Sequence, residues 1–350
     1  MPDNMESPIP IQNVYYLLCY AWNRLEEGEI VDVQSINSTQ LADLFAKVLL
    51  GGAHHLIRRG FDRGYLSFAE ETGILRGKIA FAGSLKRNLF IQGRALCEFD
   101  ELDYNVPHNR ILKTTISRLV HAEGLAHDLK DGLWEVLRML RQIEPVPLTS
   151  QIFRRVQLHR NNYYYAFLLN ICELIHDYLL VDEQTGETKF RDFFRDERKM
   201  ARLFESFVRN FYQQEQKTYK VRALKIRWQA EGLDAETEAY LPEMQTDVCL
   251  ISDDRKIILD CKYYRETLQR NRKGNPGLHS GHLYQLFAYL KNKEVDAGWQ
   301  NCEGMLLYPV VDQSLRLKFD IQGHSIQVNT INLNQDWQKI ERDMLRMLDL

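Results

Sequence analysis

The spacing of apolar residues in the first half of the chain predicts helices on both sides of a β-rich stretch. Apolar side chains recur every three or four residues around Leu18 and Trp22, after Asn13, a residue type that often caps helices. Residues 64–103 instead contain short β-like runs broken by glycines. The expected helices cover residues 14–27, 109–121, 130–143 and 38–50, the last with a second piece up to residue 59 if it continues past two glycines.

The second half alternates helical and strand-like segments after a connecting stretch at residues 150–161. This alternation is typical of an α/β core. Together with the length of 350 residues it predicts two domains, an α+β domain at residues 1–155 and an α/β domain at residues 156–350. Helices are expected at residues 163–179, 198–216, 282–291 and 337–348, and strands at 248–251, 257–259, 305–309, 315–319 and 326–333.

Two carboxylates are predicted to meet beside a lysine in the second half. Asp247 begins the first strand of a hairpin and Asp260 lies near the end of the second, so antiparallel pairing brings both side chains to one point. Lys262 lies two residues beyond Asp260 and therefore on the same face of the strand. Two acidic groups and an ammonium suit Mg²⁺-dependent cleavage of a phosphodiester.

A bare Asp-x-Lys sequence is common and is usually a solvated surface pair. Here the apolar strand ahead of Asp260, the hairpin position of Asp247 and the flanking helical segments favour a catalytic interpretation. The arrangement resembles the PD-(D/E)xK nuclease signature. Thr246-Asp247 then stands at the Pro-Asp position, and Asp260-Cys261-Lys262 forms the D-x-K.

Three further polar residues lie on helices near this hairpin. Glu205 interrupts the apolar face of the preceding helix, where it would add a metal ligand, hold a metal-bound water or form an ordinary surface pair. Gln285 and Tyr289 lie one turn apart on the following helix and share a face. They would brace the site or contact a DNA phosphate, although simple aromatic packing also accounts for part of this helix.

A basic loop follows the hairpin. Such a loop beside a metal site could contact the DNA backbone, and it could equally be an ordinary disordered loop. The candidate DNA-binding residues are Arg265, Arg270, Arg272 and Lys273.

Composition excludes several classes of protein. The net charge of −3 does not mark a general polyanion binder, so a DNA-acting protein of this kind needs local basic patches or a partner that delivers DNA. No apolar run is long enough for a membrane helix, and the acidic start is unlike a secretory signal. Six scattered cysteines without C-x-x-C favour reduced thiols in the cytoplasm.

Residues 73–78 lack the spacing and the Ser/Thr of a P-loop, so no nucleotide site is expected.

Over nearly its full length the sequence is similar to the McrC family, the nuclease subunits of McrBC modified-cytosine restriction systems. The N-terminal match is the more specific, because D-x-K recurs in many unrelated nucleases, and Cys261 stands where the family often has Ala. The matching segments are residues 9–22, 77–81, 99–101, 109–113, 260–264 and 283–286.

This resemblance implies a catalytic triad of Asp247, Asp260 and Lys262, with Mg²⁺ held by the two carboxylates and the backbone carbonyl of Cys261. It also implies a partner, an McrB-like AAA+ ring that uses GTP and recognises double-stranded DNA with modified cytosine. The N-terminal domain would dock on that ring and stimulate its NTPase, with residues 64–103 as the candidate contact, and the C-terminal PD-(D/E)xK domain would cut. The alternative is a non-cleaving adaptor of an AAA+ NTPase in which the hairpin is a relic.

Overall fold

The computed structural model describes residues 9–25, 40–181, 188–190, 196–230, 235–263, 269–270, 276–309 and 314–349. These residues form two compact units. The inserted unit comprises the described part of residues 40–190, and the core unit comprises residues 9–25 together with the described part of 196–349. None of the helices in the described ranges is long and apolar enough to cross a membrane.

The inserted unit combines helices with a three-stranded antiparallel sheet. Its elements are α2 (Leu41–Arg59), β1 (Gly64–Thr72), β2 (Lys78–Ile79), α3 (Phe81–Lys86), β3 (Ala95–Asp103), α4 (Pro107–Leu119), α5 (His127–Met139), α6 (Ser150–Arg155), α7 (Tyr165–Tyr178), β4 (Leu179–Val181) and β5 (Thr188–Phe190). The strand order is β1-β3-β2, and β1 pairs with β3 along its whole length. Helix α2 packs on α5 and α7, and α4 packs on α7, around a buried apolar core.

A buried polar network joins the start of α7 to the rest of this unit. The Tyr165 hydroxyl donates to Oδ1 of Asn109 at 2.5 Å, and Nδ2 of Asn109 donates to the carbonyls of Asp62 and Tyr104. Helix α7 is therefore part of the inserted unit. The predicted domain boundary at residue 155 falls between α6 and α7, whereas both helices lie in the inserted unit.

The core unit is built on a six-stranded mixed sheet with the order β14-β15-β13-β10-β9-β6. Strands β10, β13 and β15 run parallel to each other, and the remaining neighbours are antiparallel. Its elements are α1 (Ile11–Ala21), α8 (Glu197–Glu215), β6 (Lys220–Arg222), β7 (Lys225–Ile226), α9 (Ala235–Glu238), β8 (Met244–Gln245), β9 (Val248–Ile251), β10 (Lys256–Cys261), β11 (Gln269–Arg270), β12 (Pro276–Gly277), α10 (Ser280–Lys293), β13 (Glu303–Pro309), β14 (Arg316–Ile321), β15 (His324–Ile331) and α11 (Trp337–Arg346).

Helix α1 packs on α8, far from it in sequence. Nδ2 of Asn13 donates to the Leu333 and Gln335 carbonyls at 2.8 and 2.7 Å, so this residue ties α1 to the segment after β15 rather than capping its helix. Tyr20 donates to Oε1 of Glu215 at 2.6 Å and stacks on Trp337. Helix α1 thus belongs to the same compact unit as α8 and α11.

The predicted α/β class is confirmed, and most predicted helices and strands are present with shifted ends. Two predictions were wrong in detail. Helix α1 ends at Ala21, because Asn23 takes a left-handed conformation with φ of 55°, and residues 26–27 of the predicted helix lie outside the described residues. The predicted connection at residues 150–161 contains α6, whose N-cap Thr149 accepts a hydrogen bond from the Ile152 amide.

Candidate active site

The β9–β10 hairpin forms the centre of the candidate site. Leu259 pairs with Val248 in the antiparallel register, so Asp247 and Asp260 lie next to each other at the open end of the hairpin. Both strands are apolar and almost fully buried, which fixes their register against the core. On the other side β10 runs parallel to β13, and the Lys262 amide extends this ladder by donating to the Leu307 carbonyl at 2.9 Å.

The three predicted catalytic residues converge. Oδ2 of Asp247 accepts a hydrogen bond from the Cys261 amide at 2.7 Å, which anchors one carboxylate to the opposite strand. Nζ of Lys262 lies 2.7 Å from Oδ2 of Asp260. The Asp260 side chain is only 1% exposed, and apart from this contact with Lys262 neither of its carboxylate oxygens has a hydrogen-bond partner in the described part of the chain. A buried carboxylate in this state is suited to a cation.

Burial and mutual repulsion govern the protonation of this cluster. Burial and then the charge of Asp260 raise the pKa of Asp247 to about 7. Burial also raises the pKa of Asp260, although Lys262 opposes the shift. Burial alone would lower the pKa of Lys262, but the charge of Asp260 and the hydrogen bond to it outweigh burial, so this pKa lies above its usual value. Lys262 is therefore an ammonium at neutral pH.

Helix α10 braces the lysine through Gln285 and Tyr289. Nζ of Lys262 donates to Oε1 of Gln285 at 2.9 Å, and Nε2 of Gln285 donates to the Tyr289 hydroxyl at 2.7 Å. The Tyr289 hydroxyl in turn donates to the Gln245 carbonyl at 3.1 Å, just before the first carboxylate of the hairpin. This chain of hydrogen bonds fixes the ammonium relative to both strands.

Helix α8 contributes Glu205 from the other side of the site. The charge of Glu205 raises the pKa of both Asp247 and Asp260, after the larger effect of burial. Nη1 of Arg209, one helical turn further on, lies 2.9 Å from Oε1 of Glu205 and donates to the Asp247 carbonyl at 3.2 Å. Sequence reasoning missed Arg209. Its signal was the four-residue spacing from Glu205, which places the two side chains on one face of the helix.

The oxygen ligands of this site suit a magnesium ion. No group of three or more His, Cys, Asp or Glu side chains arranged for a metal occurs among the residues that the structure describes. Mg²⁺ does not require one, because it is typically held by one or two carboxylates and keeps several water ligands. The buried Asp260 carboxylate next to Asp247 fits that requirement, since both side chains present hard oxygen ligands.

The predicted DNA-binding residues are not tested. Arg265, Arg272 and Lys273 lie outside the described residues, and for Arg270 only the backbone, in β11, is described.

Comparison with known proteins agrees with the fold. The family model described as McrBC 5-methylcytosine restriction system component matches residues 12–309. The chain is 32% identical over 346 residues to the type IV methyl-directed restriction enzyme EcoKMcrBC of Escherichia coli K12, covering 99% of each sequence. A chain in the half-complex from the tetradecameric assembly of Thermococcus gammatolerans McrB AAA+ hexamers with bound McrC has the same fold, with a TM-score of 0.61 and 16% identity over 97% of this chain and 75% of that one. The protein therefore belongs to the McrBC family of type IV restriction system components.

Proposed function

We propose that this McrBC family member is the Mg²⁺-dependent DNA endonuclease subunit of its restriction complex, of the PD-(D/E)xK type. It would cut double-stranded DNA whose modified cytosine is recognised through an AAA+ GTPase partner, and it would stimulate that partner. The observation that carries the proposal is the buried carboxylate of Asp260, which pairs with Lys262 and lies next to Asp247. Six free cysteines, all buried, support a reducing, cytoplasmic setting.

Each group in the site has a role in this chemistry. Asp247, Asp260 and the Cys261 carbonyl would hold Mg²⁺, which when bound supplies Lewis acidity at the scissile phosphate and lowers the pKa of a bound water. Lys262, as an ammonium, orients the attacking water and stabilises the extra negative charge on the phosphoryl oxygens. Gln285 and Tyr289 keep the ammonium in place.

Substitution of Asp260 tests this proposal. Asp260→Asn keeps the shape of the side chain but removes the charge that a divalent cation needs. With the partner, GTP and Mg²⁺, DNA cutting should fall by about a thousandfold, the scale of losing one essential electrostatic group. Asp254→Asn, at an exposed turn position of the same hairpin, is the matched control and should cut normally. Cutting by Asp260→Asn at the wild-type rate would remove the proposed site.

The wild-type protein and Asp260→Asn also distinguish the nuclease from the alternative, a non-cleaving adaptor. An adaptor would stimulate NTP hydrolysis by the ring without any DNA cutting by the wild-type protein. The nuclease proposal requires wild-type cutting, and it requires that Asp260→Asn keeps full NTPase stimulation because the carboxylate lies in the core unit.

The inserted unit offers a surface for the ring. Large apolar side chains are exposed over a short span of this unit, and exposed apolar clusters commonly mark protein interaction sites. We assign the ring contact to this apolar surface, which agrees with the candidate stretch of residues 64–103. Its members are Ile74, Leu75, Phe81, Leu85, Phe90 and Ile91, with exposures from 41% for Phe90 to 86% for Ile91.

A charge placed on this surface should break the contact. Ile91→Asp and Leu75→Asp should each weaken binding to the partner at least tenfold and abolish stimulation of its NTPase, because an aspartate cannot be buried unpaired in an apolar interface. Tyr240→Asp is the control, since Tyr240 is 90% exposed but lies in the core unit. Unchanged binding by both aspartate variants of the apolar surface would exclude it as the ring contact.

A further inference from the structure

Arg209 is a second cation of the site. Neither the PD-(D/E)xK signature nor the proposed cleavage chemistry assigns it a role. It projects from α8 and contacts both Glu205 and the backbone of Asp247. The side chains of Arg209 and Glu205 are 26% and 31% exposed, so their ion pair is partly buried. An ion pair in this environment is screened less by water than a surface pair.

Each of the two cations of the site forms an ion pair with a different carboxylate. Lys262 contacts Asp260, and Arg209 contacts Glu205. Nη1 of Arg209 contacts both Oε1 of Glu205 and the Asp247 carbonyl, so the Glu205 carboxylate lies beside the hairpin and its charge acts on the position where a metal ion would be held. The pairing with Arg209 compensates that third negative charge while no metal is bound.

We propose that Arg209 is a positioning residue that sets the divalent-cation affinity of the site, by holding Glu205 in an ion pair and by fixing the Asp247 carbonyl. Binding of the cation competes with Arg209 for Glu205. This inference rests on the proposed metal-dependent nuclease function. Loss of the Arg209 charge frees Glu205 for the cation and tightens metal binding, whereas loss of the contact to Asp247 loosens one carboxylate and slows cutting.

Mn²⁺ binding to the full-length chain, measured by electron paramagnetic resonance, tests the inference without relying on activity. Arg209→Gln keeps a hydrogen-bond donor but no charge, and it should bind Mn²⁺ on the order of tenfold more tightly than wild type. Arg209→Lys keeps the charge and should restore wild-type affinity. In a Glu205→Gln background, Arg209→Gln should tighten Mn²⁺ binding much less than in the wild-type background, because the ion pair between the two residues is already absent.

Cutting assays with the partner supply the second readout. Arg209→Gln should cut more slowly than wild type at saturating Mg²⁺ and reach half its maximal rate at a lower Mg²⁺ concentration, with unchanged NTPase stimulation. A residue with a merely structural role would lower the melting temperature without moving the metal dependence, and thermal unfolding of the metal-free variants separates the two cases.

The outcomes distinguish this inference from the function on which it rests. If wild type binds Mn²⁺ and Asp260→Asn does not, but Arg209→Gln binds with wild-type or weaker affinity, the role of Arg209 is overturned and the metal site stands. If wild type binds no more Mn²⁺ than Asp260→Asn, both the proposed metal site and the role of Arg209 are overturned.

Discussion

Replacing Asp247 with asparagine should stabilise the metal-free protein while destroying its proposed activity. In the absence of metal, the raised pKa of Asp247 reflects the cost of holding its charge in a buried site next to Asp260. Asparagine removes that charge, and its side-chain oxygen can still accept the hydrogen bond that the Cys261 amide donates. Sites that bind cations commonly carry this conflict between stability and function.

The size of the effect follows from the pKa in the two states. In the unfolded chain the carboxyl has its ordinary pKa of 3.8, and in the folded protein the pKa is about 7. Between these values the folded state holds the proton and the unfolded state does not, so the stability of the wild type falls as the pH rises through this window. The full difference corresponds to about 4 kcal/mol above pH 7 and to about 2 kcal/mol at pH 5.

Asparagine also introduces an amide group that must find a partner, at a cost of about 1 kcal/mol. The expected net gain for Asp247→Asn is therefore about 3 kcal/mol at pH 8 and about 1 kcal/mol at pH 5. The difference between the two pH values, about 2 kcal/mol, does not depend on the amide cost, because that cost does not change with pH.

Urea unfolding in EDTA at pH 5 and pH 8 measures this difference. Tryptophan fluorescence reports mainly on the core unit, since Trp22, Trp228, Trp299 and Trp337 lie there and only Trp134 lies in the inserted unit. Asp254→Asn at the exposed turn is the control and should change stability by less than about 0.5 kcal/mol at either pH. A stability gain for Asp247→Asn that is absent, or that is equal at both pH values, would refute the electrostatic reasoning.

Gln285, helix α7 and His108 each give a further expected outcome. Gln285→Leu should slow cutting about tenfold at saturating Mg²⁺, because Lys262 loses a hydrogen-bond acceptor. Gln285→Asn should recover part of the rate, and an unchanged rate in Gln285→Leu would mean that Gln285 does not position the lysine. A fragment of residues 40–191 should unfold cooperatively by circular dichroism and bind the partner, whereas one ending at residue 150 should not fold, because it lacks α7. Burial lowers the pKa of His108 below 6.5, although the charge of Asp62 opposes this shift, so the unfolded chain binds a proton more readily than the folded one. The melting temperature of the fragment of residues 40–191 should therefore fall as the pH drops below 6.5. His108→Gln should reduce this pH dependence, and an unchanged slope would contradict the reasoning.

The sequence by itself located the elements and the centre of the candidate site. Helix and strand periods depend on neighbours within one element, so apolar spacing was enough to find α7, α8 and the β9–β10 hairpin. The proximity of Asp247 and Asp260 also followed from local geometry, because a tight turn leaves an antiparallel hairpin little freedom of register. The shared face of Gln285 and Tyr289 came from helical spacing in the same way.

Only the tertiary structure decided which distant segments meet. Nothing in the local pattern of α1 shows that Asn13 donates to carbonyls more than 300 residues later, so the sequence assigned this helix to a domain of residues 1–155 rather than to the core unit. The burial of Asp260 and the contact of Arg209 with the Asp247 carbonyl depend on the packing of α8 and α10 around the hairpin. The burial of a side chain and its hydrogen-bond partners depend on packing between segments that are far apart in sequence, so the local pattern does not determine them.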